Sequence, residues 1–298
     1  MHHGKYRLIV PFLLPALLLY GVFVVWPYAQ AIHASFTSWR GVSANRPWVG
    51  LANYQALARD DAFVEALGRN GLLLLSLPLV TIAIALTFAA LFAQGGQAVR
   101  GAGFYRIVFF FPQVIPAVIV GILWSYVYTP NIGLFNGVLD RLGLGVLQRS
   151  WLTDPATVLW AIVAVAVWSG VGFYMVIFLA AMQTIPTSFY EAALLDGANR
   201  WRSFKDITFP LIWESVRTSA VYLGIAALDF FILVVVVSGG STTMGAQRAE
   251  VAAVFMYNQA FVKSKWGYAS AVGVVLLLLT LLLSVVVMRL TRRETYEF

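Results

Sequence analysis

Between its charged residues the chain separates into six apolar runs, with approximate limits Leu8 to Ala29, Gly71 to Ala93, Ile107 to Tyr128, Ala156 to Met182, Thr218 to Val237 and Gly267 to Met288. A helix needs about 20 residues to cross a hydrocarbon core, so each run is long enough to span one. Only the fifth carries a charge, Asp229. The runs are continuous in Leu, Val and Ala and lack the strict alternation of a barrel strand; an unclosed strand would leave backbone groups unpaired in lipid. The pattern predicts an all-α polytopic membrane protein with six transmembrane helices, forming one transmembrane domain over 1–298.

Composition agrees with that pattern. Of 298 residues, 60% are apolar and 11% charged, whereas soluble domains are about 45–50% apolar and about 25% charged. Too few polar residues remain to cover a soluble core of this size. Cysteine is absent, which excludes disulfides, thiolate metal sites and a cysteine nucleophile. No phosphate-binding glycine loop or His-Glu-x-x-His pair occurs, and the three histidines are His2, His3 and His33, so neither a metal site nor a catalytic residue is expected. His2 and His3 are given no role.

The formal charge of +7 reflects topology, because the basic residues sit between apolar runs and do not form one nucleic-acid-binding patch. Segments 1–7, 94–106, 183–217 and 289–298 hold 11 Lys and Arg in 65 residues, against 9 in 96 for segments 30–70, 129–155 and 238–265. The denser set belongs in the cytoplasm, and both termini with it. The first run is longer than a secretory h-region and continues through Trp26, Pro27 and Tyr28, which predicts an uncleaved span. In the first outer segment, Tyr54, Leu57, Ala58, Phe63 and Leu67 have helical spacing and predict a helix on the membrane surface. The longest outer segment has 41 residues, so a nucleotide-binding or substrate-recognition domain must be another polypeptide.

The sharpest motif is the inner segment from Gln183 to Trp213. Ser188 with Glu191 reads as a capping box, starting a helix near Phe189; Gly197 suits its C-terminal stop. Asn199 can cap a second short helix, and Pro210 suits the first turn of the next. The expected product is a helix-turn-helix elbow.

Glu191, Ala192, Ala193, then Gly197, and about ten residues on Ile207, Pro210 and Leu211, closely resemble the EAA loop of ABC importer permeases. With Asp196, Gly197 and Ala198 the segment resembles the carbohydrate-uptake, maltose-type branch of these binding-protein-dependent inner membrane components. The resemblance runs the length of the chain, from the outer Gly50-Leu51-x-Asn53-Tyr54 to Gly239-Gly240 after the fifth span; Phe209 stands where the family usually has Leu. It implies that Glu191, Ala192, Ala193, Asp196, Gly197, Ala198 and Pro210 form a coupling helix seated in a cleft of an ATP-binding subunit. It also implies a second related permease, an ATPase dimer, an extracytoplasmic solute-binding protein and a bacterial inner-membrane location. This chain would itself bind no cofactor, ATP being held by the partner subunit.

An Asp at a helix centre costs about 2.5–3.5 kcal/mol on insertion scales, so Asp229 should face water or a partner. The resemblance places sugar contacts on the fourth and fifth spans, where Ser169, Gly170 and Phe173 lie at a matching distance before the loop. A carboxylate accepting sugar hydroxyls and a ring stacking on a pyranose suit these positions. The resulting expectation is a non-enzymatic permease subunit of an ATP-driven sugar importer. A proton-coupled transporter relaying through Asp229 and a non-transporting scaffold are the other readings, and neither needs the loop.

Overall fold

The computed structural model describes residues 3–42, 45–94, 97–98 and 101–290; His2 and the basic 291–298 tail lie outside them. Within them the regular structure is helical apart from a two-residue antiparallel pairing of Ala93–Gln94 with Gln97–Ala98 and one bridge between Thr37 and Trp48. Helix α1 (His3–Tyr20) continues through a π turn, Gly21–Val25, into α2 (Trp26–Ser35). Then follow α3 (Ala52–Leu57), α4 (Asp61–Phe92), α5 (Ala102–Val114), α6 (Ala117–Val127), α7 (Leu134–Arg141) and α8 (Val158–Gln183). The elbow between Gln183 and Trp213 contains α9 (Thr187–Leu195), α10 (Arg200–Ser203), a π turn at Phe204–Thr208 and α11 (Phe209–Leu211). The remainder is α12 (Trp213–Leu228), α13 (Phe231–Val237), α14 (Met244–Arg248), α15 (Ala252–Tyr257), a π turn at Asn258–Val262 and α16 (Trp266–Leu290).

Among the described residues four helices are long and apolar enough to cross a membrane: Pro11–Ser35, Asp61–Phe92, Val158–Gln183 and Trp266–Arg289. Two bent pairs satisfy the same test jointly. The third predicted run is not one straight helix, because α5 and α6 meet at 94°. Pro116 causes the break: it pushes Ile115 to an extended ψ of 129° and removes the amide that would continue the ladder. The fifth run is α12 and α13, bent by 53° at Asp229 and Phe230, with no Pro or Gly in the break.

The described residues divide into two compact units, those up to 64 with 255–278, and those from 65 to 254 with 279–290. In the first, Asn53 donates to the carbonyls of Ser35 (2.8 Å) and Thr37 (2.9 Å), satisfying acceptors left over where α2 ends. Tyr54 and Ser35 share a 2.6 Å hydroxyl contact. The expected surface helix from Tyr54 to Leu67 does not form. Asp60 accepts from the Ala62 amide at 3.1 Å, capping a new helix that becomes α4, and its other oxygen accepts from Tyr268 at 2.8 Å. Leu57 and Phe63 are buried in protein, not laid on a lipid interface.

The second unit is organised on α8, which has 13 buried residues from Val158 to Met182. One cluster joins Leu73 and Leu77 of α4 to Ile162, Val167 and Val171 of α8 and Leu223 and Val234 of the bent pair. Another joins Ala85 and Ala89 to Met175, Phe178, Met182, Ile185, Ile212 and Val216, which anchors the elbow. Gly172 is required here, since a Cβ would lie 1.8 Å from the Phe109 carbonyl oxygen of α5.

Candidate functional site

The elbow starts at Pro186, whose φ of −58° and ψ of 136° leave Thr187 as the first helical residue. Ser188 therefore sits inside the first turn and the expected capping box does not form; α9 has no side-chain cap. Glu191 is consequently an exposed residue of the helix face and not a cap. At the other end the expectation holds. Gly197 has φ +75°, its amide donates to the Leu194 carbonyl (3.0 Å), and the Ala198 amide donates to that of Ala193 (2.9 Å). These two bonds are a Schellman stop. Asn199 then caps α10 by accepting from the Arg202 amide at 2.9 Å.

Pro210 follows the π turn Phe204–Thr208, as Pro27 follows the one at Gly21–Val25. A wider turn just before a proline removes the ring's clash with the carbonyl four residues back, so each helix passes its proline with little interruption. The elbow is tied down on one side. Tyr190 hydrogen-bonds buried Thr208 at 3.0 Å, and burial raises its phenol pKa, a rise that the Thr208 bond partly opposes. The other side is open: Leu194 is 73%, Leu195 90% and Trp201 69% exposed. Glu191, Ala192, Asp196, Gly197 and Pro210 are exposed with them, and Ala193 and Ala198 are half-buried. Six of the seven predicted loop residues thus lie on α9 and the turn after it, and Pro210 lies on α11, beyond the π turn.

The predicted path residues are less closely grouped. A cavity of about 570 Å³ lies between α8 and α12, lined by Phe173, Tyr174, Ile177, Glu214, Ser215, Thr218, Ser219 and Tyr222. Phe173 is the one predicted residue among these. Ser169 donates to the Ala166 carbonyl (3.0 Å) of its own helix, and a Cβ built on Gly170 would meet the Tyr174 ring at 3.9 Å. Asp229 ends α12 at the bend, exposed, with φ −102° and ψ 56°. It does not line the cavity but shares its face: Glu214, Thr218, Tyr222, Ala226 and Asp229 form one exposed stripe along α12. Sequence reasoning missed Thr218 and Tyr222, although a polar residue every fourth position from Glu214 was legible. It also missed Asn70, whose side chain is buried at the bend. Among the described residues no cluster of His, Cys, Asp or Glu could hold a metal ion.

Apolar helices long enough to cross a membrane, an elbow stopped at Gly197 and capped at Asn199, and a polar stripe beside an open cavity fit a membrane transport subunit. Residues 85–296 match the family described as binding-protein-dependent transport system inner membrane component, and the chain belongs to that family. It is a permease subunit without catalytic chemistry of its own. It is 43% identical over 288 residues to the diacetylchitobiose uptake system permease protein NgcF of Streptomyces coelicolor, covering 93% of this chain and 80% of that one. It is 31% identical to the multiple sugar-binding transport system permease protein MsmF of Streptococcus mutans, covering 95% and 94%. In fold it matches a chain of a bacterial ABC transporter involved in import of the acidic polysaccharide alginate, with TM-score 0.81, 23% identity and 98% of each chain covered.

Proposed function

We propose that this chain is one of two related permease subunits of an importer for a neutral sugar or oligosaccharide, delivered by an extracytoplasmic binding protein and driven by an ATPase dimer. Two of its relatives are named for diacetylchitobiose uptake and for multiple sugar-binding transport, and the alginate importer has also been crystallised with an oligosaccharide-bound periplasmic protein. On this reading 1–298 is a single transmembrane domain of the bacterial cell membrane, with each bent pair counted as one span. On the same reading both termini and the Gln183–Trp213 elbow face the cytoplasm, a side that the density of basic residues supports.

The observation that carries the proposal is the open face of the elbow. Leu194, Leu195 and Trp201 expose apolar surface at the end of a helix pair whose other side is anchored by Tyr190, Thr208 and Ile212. Exposed apolar side chains beside small residues suit seating in a cleft of an ATP-binding subunit, with Glu191, Ala192, Ala193, Asp196, Gly197, Ala198 and Pro210 as the coupling residues. The path follows the stripe on α12, with Phe173 as a stacking ring and Asp229 as acceptor for sugar hydroxyls; Ser169 and Gly170 lie about one turn before Phe173 on the same helix. The test is co-purification of the ATPase with the membrane complex. Leu195→Asp and Trp201→Asp should abolish it while the chain still inserts, and retention of the ATPase by both would refute the docking role.

A further inference from the structure

The fifth span bends where no Pro or Gly explains it. Beyond Leu228 the helical ladder stops: the Asp229 amide still donates to Ile225 (3.1 Å), but the carbonyls of Ala227 and Leu228 lose their partners one turn on. Both residues are buried, and a buried carbonyl without a donor is costly. The donor comes from α4. The Asn70 amide, 1% exposed, donates to the carbonyl of Ala227 at 2.8 Å and of Leu228 at 3.4 Å. Its Oδ1 accepts at 2.8 Å from the amide of Ala252, in the first turn of α15, where the helix supplies no acceptor. One side chain thus satisfies the broken ends of two helices from a third.

We infer that Asn70 is the positioning residue of the transport path: it keeps the fifth span broken and so holds the Asp229 backbone at φ −102°, turning its side chain onto the open face. Without it, the cheapest way to satisfy the Ala227 and Leu228 carbonyls is for the helix to run on through Asp229, which changes the direction of that side chain. This rests on the proposed path only for its consequence in transport; the joint itself stands on the three bonds.

The test uses the assembled importer carrying Asp229→Cys, labelled by a water-soluble maleimide; the chain has no other cysteine. Adding Asn70→Leu, of similar size but with no hydrogen bonds, should slow labelling about tenfold, the population shift expected on losing the bonds to two buried carbonyls. Asn70→Ala removes the donor and the acceptor together and should slow it similarly. Leu77→Ala, a cavity variant of the same helix and core, should leave the rate unchanged even though it loosens packing. Parental labelling in either Asn70 variant overturns the inference, as does equal slowing by Leu77→Ala. In chains that keep Asp229, Asn70→Leu should also raise the half-saturating sugar concentration about tenfold. Slowed labelling with unchanged sugar dependence would leave the joint standing and remove Asp229 from the sugar path.

Discussion

Gly197 offers a graded test of the elbow because its environment separates two effects that usually occur together. Its φ is +75°, and a Cβ built on it meets nothing within 4 Å. Replacement therefore creates no clash, and the whole cost is conformational. For an ordinary L-residue the left-handed region costs about 1–2 kcal/mol, whereas Asn visits it more readily. The two Schellman bonds, from Gly197 to Leu194 and from Ala198 to Ala193, hold that backbone only if the strain is tolerated. A cost of about 1–2 kcal/mol lowers the ratio of correctly stopped to unstopped elbow by a factor of about 5 to 30. The assay is sugar- and binding-protein-stimulated ATP hydrolysis by the reconstituted complex. Stimulation should fall in the order Gly, Asn, Ala, with a β-branched residue such as Val lowest. Equal stimulation by Gly197→Ala and Gly197→Asn would refute the claim that the turn conformation matters to coupling.

Three further outcomes follow from other parts of the chain. Asp229→Asn keeps an acceptor oxygen and should retain part of the sugar transport, whereas Asp229→Leu should lose most of it; a proton relay would make Asn as inactive as Leu. Gly172→Ala should lower thermal stability in detergent by about 1–3 kcal/mol, because its Cβ would be driven into the Phe109 carbonyl oxygen, while Gly170→Ala, with Tyr174 at 3.9 Å, should be neutral. For orientation, Lys205→Cys should react with an impermeant maleimide only in opened cells and Leu147→Cys in intact ones, and labelling of Lys205→Cys from outside would invert the topology.

The spans legible in the sequence were those that apolar runs define by themselves. The fourth and sixth runs differ from α8 and α16 by a few residues. The second was legible in its membrane portion, but α4 starts ten residues earlier, because Asp60 caps it and its first turns pack in protein. The break in the third run was written in the chain at Pro116 and was outweighed by length and hydropathy. The break in the fifth was not written locally: it depends on Asn70, 157 residues from Ala227, and no periodicity reports a partner so distant. At the elbow, Gly197 and Asn199 act within a few residues of themselves and were readable as signals. Ser188 and Glu191 had the right spacing for a capping box, yet Pro186 starts the helix before Ser188 can act as its cap. The cavity was partly hidden for a similar reason, since Phe173 and Tyr222 face it from two helices whose packing is set elsewhere.

The central claim is that this chain passes sugar only when a partner hydrolyses ATP against its inner elbow. It is tested most directly by uptake of labelled sugar into proteoliposomes containing the complete complex and its binding protein. The account predicts uptake that requires enclosed ATP, disappears with Glu191→Lys, and ignores an imposed proton gradient. Uptake driven by a proton gradient with ATP absent would contradict it.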